Sequence, residues 1–341
     1  MQEEFRYVVP YEGIETFLRL IVDFTEHNSL STIEKKKKAH RTFFSEYFGS
    51  TGVSAKTVVC EPEYMDKDFL EDYASYYVRC FNKYNKFCAR VHFFNRAFSQ
   101  AEFEDVLSHQ SVSLSEQELQ DSYLGFVVLK RLPVHVLGRT CLKTYEETGE
   151  RHYPIQRNYD VNLYGLNLRV RTLAFQEQDH AAAACATSAL WSTLQGTNAL
   201  FGNPVLSPVE LTRLAFRHVP SSGRLFPNSG LSTWQMANAV REVGLEPVLI
   251  DLSIPGSRER LLQASVAAYV QAGIPVILGM NIVGRGFHAV AVTGYRLSGP
   301  ALALSDKVNT RFTFRGIDKL YAHDDQLGPF SRLELQVDME G

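Results

Sequence analysis

The chain has 341 residues, of which 45% are hydrophobic and 12% aromatic, enough apolar material for a packed core and enough length for two domains. A formal charge of −3 leaves no overall basic excess to draw it to nucleic acid or to an anionic membrane surface. Met1-Gln2-Glu3-Glu4-Phe5 lacks the basic-then-apolar order of a secretory signal, and no stretch approaches the ~18 uninterrupted apolar residues of a membrane span.

The five cysteines, Cys60, Cys80, Cys88, Cys141 and Cys185, are odd in number and form no Cys-x-x-Cys pair. Neither a zinc site nor a disulfide framework is indicated, and a reducing, cytoplasmic setting with free thiols is expected.

Along the first half, apolar residues near helical spacing (Ile14, Phe17, Leu18, Ile21, Phe24) predict a helix over Gly13–Glu26. A second is expected over Ser31–Tyr47; its run Lys35 to Lys38 reads as a solvated face rather than an anion site. A third is expected over Asp66–Phe81. Ala89–Phe94 reads as a strand, and Ser99–Leu107 as a helix with Ser99 as cap and Glu102 at the third position. Strands are expected at Tyr123–Leu132 and Thr140–Tyr145, and the polar stretch Glu146–Arg157 reads as a linker. Nothing in this half nominates a chemistry.

The second half begins with alternation over Val161–Phe175, the pattern of a hairpin. A helix opens at Cys185. Ser207-Pro208-Val209-Glu210 opens another with a capping serine, proline at the first position and glutamate at the third. Ser232-Thr233-Trp234-Gln235 repeats that logic before a helix that stops at Gly244. A strand at Pro247–Asp251, a helix at Arg258–Ala272 and strands at Pro275–Met280 and His288–Tyr295 follow, an α+β arrangement. Gly284-Arg285-Gly286 reads as a turn before the histidine strand, not a phosphate loop, because no helix follows it.

Cys185 at a helix start, His288 at the opening of a strand and a later carboxylate are the parts of a cysteine nucleophile site. A free thiol is mostly protonated at pH 7; a helix N-terminus and a neighbouring imidazolium favour the thiolate. Ala181 to Ala184 let a substrate backbone approach the sulfur. The histidine then needs an orienting partner on its other nitrogen. Asp306, 18 residues after His288, and Asp324, at the end of Leu320-Tyr321-Ala322-His323, both qualify, with Asp325 as the adjacent alternative. Asp324 is preferred: its strand and the turn Gln326-Leu327-Gly328-Pro329 are better defined, and Leu297–Arg315 then reads as an inserted hairpin loop. The Cys185 N–H and the side-chain amide of Gln178 or Gln176 are the candidate oxyanion donors. Asp179-His180 and His323-Asp324-Asp325 lack the regular spacing of metal ligands, and no metal is expected. Trp191 reads as a core anchor of the nucleophile helix.

From about Asn158 to Gly341 the chain resembles the papain-like cysteine peptidases. It is most similar to the bacterial branch that includes the double-glycine leader peptidases of bacteriocin export. The resemblance is carried by Gln178-Asp-His-Ala-Ala-Ala-Ala-Cys185-Ala-Thr-Ser-Ala-Leu-Trp191, by Gly273-Ile-Pro-Val-Ile-Leu-Gly-Met280, and most of all by Phe287-His-Ala-Val-Ala-Val-Thr-Gly-Tyr295. It implies a nucleophile helix packed on an antiparallel sheet over 158–341, preceded by a mixed α/β domain over 1–157. It implies Cys185 as nucleophile, His288 as general base and Gln178 as the oxyanion glutamine. The expected activity is hydrolysis of peptide or isopeptide bonds without a cofactor, on a protein or peptide substrate, with residues 1–157 selecting substrate or receiving a regulatory partner. The same residues also serve an acyl or amide transferase or a deamidase, and an inactive papain-like binding domain is the reading from another class. Ala184 and Ala186 stand where glycines are common in the plant-type signature.

Overall fold

The fold is α+β, carried by two antiparallel sheets. The computed structural model describes residues 7–25, 29, 38–110, 113–147, 149–179, 181, 184–218, 225–227, 230–253, 258–284, 286–298, 302–305 and 308–335. In the first sheet, β1 (Val8–Pro10), β2 (Thr57–Tyr64), β3 (Cys88–Phe94), β4 (Tyr123–Lys130) and β5 (Leu137–Leu142) pair in chain order. Every residue of β3 and β4 is buried, so both faces must be covered.

Alternation deals their side chains to two cores. Ala89, Val91 and Phe93 meet α1 (Ile14–Phe24) and α2 (Lys38–Phe48) in one cluster; Phe48 stacks on Phe93 with ring centroids 4.1 Å apart. Cys88, Phe126 and Val128 face the other way, into a cluster with the hairpin β7 (Arg157–Leu163) and β8 (Leu166–Thr172). Helix α3 (Lys67–Ser75) starts on an Asp66 cap and gives way to a 3-10 turn at Tyr77–Arg79, shorter than the expected Asp66–Phe81. Capping boxes open α4 (Gln100–Leu107) and α5 (Glu116–Ser122). Residues 31–37 of the expected second helix lie outside the described residues.

The second half supplies α6 (Cys185–Phe201), α7 (Pro208–Phe216), α8 (Thr233–Glu242) and α9 (Arg258–Ser265), the last running on into a π turn at Val266–Val270. Its sheet is ordered β14 (Gly328–Glu334), β13 (Ile317–Asp324), β10 (Gly286–Leu297), β6 (Arg151–His152), with β9 (Val276–Ile282) also on β10. β9 pairs the first part of β10 and β6 the last, so β10 changes neighbour along its length. Within Leu297–Arg315, β11 (Leu302–Ser305) and β12 (Val308–Phe312) form a two-stranded hairpin. Among the described residues no helix is long and apolar enough to cross a membrane.

Two expectations are corrected. Pro247–Asp251 forms no strand: it has no pairing partner among the described residues, and Val248, Leu249 and Ile250 are exposed. The stretch Glu146–Arg157 is not a spacer between two separate cores. Arg151–His152 pairs with β10, Tyr153 and Ile155 are buried, and one hydrophobic cluster joins Phe17, Phe44 and Phe93 to Val292, Tyr321 and Phe330. A cut between 157 and 158 therefore passes through shared packing.

Candidate active site

Cys185 is the first residue of α6, preceded by Ala184 in extended conformation with no side-chain cap. The positive dipole end of the helix therefore lies at the thiol with no capping side chain beside it. From Ala186 to Thr197 the helix is buried on every side, which makes it a central rather than an amphipathic surface helix. Ala186 and Ala189 pack on Ala289 and Ala291 of β10. Small residues on both sides let helix and strand backbones approach closely, and that approach brings His288 to Cys185.

His288 lies on β10 opposite Met280 of β9. Alternation leaves Phe287 exposed and turns His288 inward, 5% exposed. Its Nε2–H donates to Asp324 Oδ1 at 3.1 Å, while Asp325 Oδ1 stands 3.8 Å from the same nitrogen. A side-chain hydrogen bond with the Cys185 thiol also acts on the ring. Burial pulls the imidazole down, but Asp324, the Cys185 hydrogen bond and Asp325 outweigh it and hold His288 up at about 10.

Asp324 ends β13 and is fixed by a second bond, the Gln326 N–H donating to its Oδ1 at 2.9 Å. Burial pushes Asp325 up to about 7, with Asp324 and Glu177 adding to it and His288 opposing. His323, one residue earlier, belongs to the core instead. Its Nε2–H donates to the Leu173 carbonyl at 3.0 Å, its Nδ1 accepts from the Phe330 N–H at 3.2 Å, and burial drives it down to about 3.

The segment before the cysteine is unusually polar for its burial: Gln176, Glu177, Gln178 and Asp179 are all buried. The two acids staple it to the first half of the chain. Glu177 accepts from His135 at 3.0 Å and from the Leu137 N–H at 3.1 Å; Asp179 accepts from the Tyr77 hydroxyl at 2.9 Å and the Ala181 N–H at 2.9 Å. Gln176 has a buried side-chain amide nitrogen with no hydrogen-bond partner. Gln178 takes no part in the bonds that join His288 to Asp324 and Cys185.

The structure thus brings Cys185, His288, Asp324 and Asp325 together. Asp306 and His180 lie outside the described residues. Sequence reasoning misses the first-half side chains that hold this arrangement. Trp191 of α6 is buried, and its Nε1–H donates to Asp68 Oδ2 at 3.0 Å; Arg139 pairs with Asp68 at 2.9 Å and Asp66 at 3.5 Å. Asp72 accepts from the Val209 N–H at the start of α7, at 3.1 Å. Acids four apart on an otherwise buried helix stripe, Asp68 and Asp72 beside Phe69, were the available signal.

Chemically, the set can pass a proton between a thiol and an imidazole while a carboxylate fixes the ring. Among the described residues, one ligand atom each from His288, Asp324 and Asp325 also falls within a 4.8 Å span, close enough to share a cation. The chain matches no protein-family model, no curated protein and no solved structure.

Proposed function

We propose that the chain is a cysteine peptidase of papain-like fold, acting through Cys185, His288 and Asp324. The observation that carries this reading is the position of His288, bonded to Asp324 and interacting with the thiol at the start of α6. The packing of α6 on β10 supports the fold.

In this reading the Cys185 thiolate attacks the peptide carbonyl while His288 holds the proton as imidazolium. The Cys185 N–H and the side-chain amide of Gln178 or Gln176 receive the oxyanion; Gln176 has a buried amide nitrogen with no hydrogen-bond partner. The C–N bond breaks as His288 gives its proton to the leaving amine. His288, now neutral, takes a proton from water, whose oxygen displaces Cys185 from the thioester. Asp324 keeps the ring turned throughout.

Iodoacetamide labelling against pH, read at each cysteine by mass spectrometry in wild type and His288→Ala, tests it. Burial pushes the thiols of Cys60 and Cys141 up to about 12 and that of Cys88 higher still, so they stay dark near neutral pH. Cys185 is expected to label rapidly at pH 6 in wild type and to lose that phase in the variant. Labelling of Cys185 that waits until about pH 8.5 in both proteins, the range of an ordinary thiol, would overturn the reading.

A further inference from the structure

We infer that His288, Asp324 and Asp325 form a zinc site, with the ion held by imidazole Nε2 and one oxygen of each carboxylate. Irregular spacing argues against these residues as ligands in the sequence, but a strand end folding back on a neighbouring strand needs no regular spacing.

Two observations carry this independently. The first is separation. Nε2 lies 3.1 Å from Asp324 Oδ1 and 3.8 Å from Asp325 Oδ1. A tetrahedral zinc with ligands at ~2.0–2.2 Å spaces them roughly 3.3–3.6 Å apart, a spacing that falls between these two separations, and the three ligand atoms all lie within 4.8 Å of one another. The second is Asp325 itself. It is 4% exposed, and neither oxygen has a hydrogen-bond partner. Among the described residues it is the one carboxylate with both oxygens buried in that condition. A buried carboxylate without donors is costly, and a cation between it and His288 supplies what it lacks.

The donor set selects the ion. One imidazole with two carboxylates suits zinc, whereas magnesium and calcium favour all-oxygen sites. Three protein ligands leave a fourth position open for water. The Gln326 N–H already fixes Asp324, as outer partners of metal ligands do. Zinc on Nε2 would take the nitrogen that Asp324 orients. Its consequence, reversible silencing of hydrolysis, rests on the peptidase reading; the binding does not.

The test uses the full-length chain and zinc chloride, in competition with a colorimetric chelator. Cys185 and any other reactive thiol are first blocked with iodoacetamide. The blocked protein is expected to bind one zinc, unaffected by millimolar magnesium. Asp325→Asn is expected to weaken binding at least about tenfold, since even outer-shell partners of a zinc ligand contribute 10–100-fold. Melting temperature gives the second reading: zinc should raise it in wild type and not in Asp325→Asn, which should itself fold, since the amide has the carboxylate's shape and no hydrogen bond to Asp325 is lost. Zinc binding that vanishes on thiol blocking, or that survives Asp325→Asn intact, would overturn the site. Binding is read without substrate, so failure of the peptidase reading leaves this result standing, and the reverse.

Discussion

At the scale of single residues, the site is organised by what surrounds two histidines of similar burial. His323 meets a carbonyl and an amide N–H and is driven down to about 3; His288 meets two carboxylates and a thiol and is held up at about 10. Burial alone would neutralise both, so the charge on His288 comes from its partners. A histidine whose folded-state value lies above its ordinary 6.5 binds its proton more tightly in the folded than in the unfolded chain. The resulting stability is fully present below about pH 6.5 and is lost as pH rises through about 10. Asp324→Asn removes the principal upward influence. The variant is expected to lose about 3 kcal/mol near pH 6, the scale for breaking a buried pair, with the gap to wild type closing toward pH 10. Urea unfolding at pH 6, 8 and 10 checks this, and a difference that stays constant over that range would sink it.

Among elements, β10 explains the pattern Phe287-His-Ala-Val-Ala-Val-Thr-Gly-Tyr295 position by position. His288 faces the thiol, Ala289 and Ala291 admit α6, and Gly294 sits where the strand leaves β9 for β6. A Cβ at Gly294 would lie 2.5 Å from the His152 carbonyl oxygen, a backbone atom that cannot swing aside. Gly294→Ala is therefore expected to cost about 1–3 kcal/mol, the usual range for overpacking. Denaturant melts would show it as a lower midpoint, and a variant as stable as wild type would mean that β6 is not held where it stands. The same strand shows what is legible from sequence. Alternation, capping boxes at Ser99, Ser207 and Ser232, and the order of Cys185, His288 and Asp324 are local signals, and they are visible in the chain. Ser115 and Glu118 make the same box, but the helix behind them is too polar to show a stripe. β2 hides because Glu61, Pro62 and Glu63 break its alternation, the proline falling at an irregularity in the β2–β3 register. Pro247–Asp251 has the composition of a strand and, among the described residues, no neighbour to pair with. Pairings such as Tyr77 with Asp179 and Trp191 with Asp68 join residues far apart in the chain and leave no local spacing to read.

Taken whole, the molecule makes its first half part of the site rather than a separate module beside it. The apolar cluster that holds β10 and β13 is completed by α1, α2 and β3, and Phe43 of α2 lies against Gly328, at the turn that follows Asp324. On the other side, Asp68, Asp72 and Tyr77 bind α6, the start of α7 and the loop before Cys185. Residues 158–341 are long enough for a domain, yet without 1–157 they lose β6 from the edge of β10 and the Tyr77 hydroxyl from Asp179, and they leave Trp191 Nε1 and the Val209 N–H without their buried partners. Each such orphan costs about 1–3 kcal/mol, against a net stability of only ~5–15 kcal/mol for a whole protein. The fragment 158–341 is therefore expected to show no cooperative urea transition and to bind a hydrophobic dye, and its Cys185 should label like an ordinary thiol. Co-expression with 1–157 should restore all three properties, because the missing partners need not be covalently attached. A fragment that unfolds cooperatively by itself, with Cys185 reactive at pH 6, would instead make the first half an accessory. Control of the site would then have to be sought in docking rather than in folding.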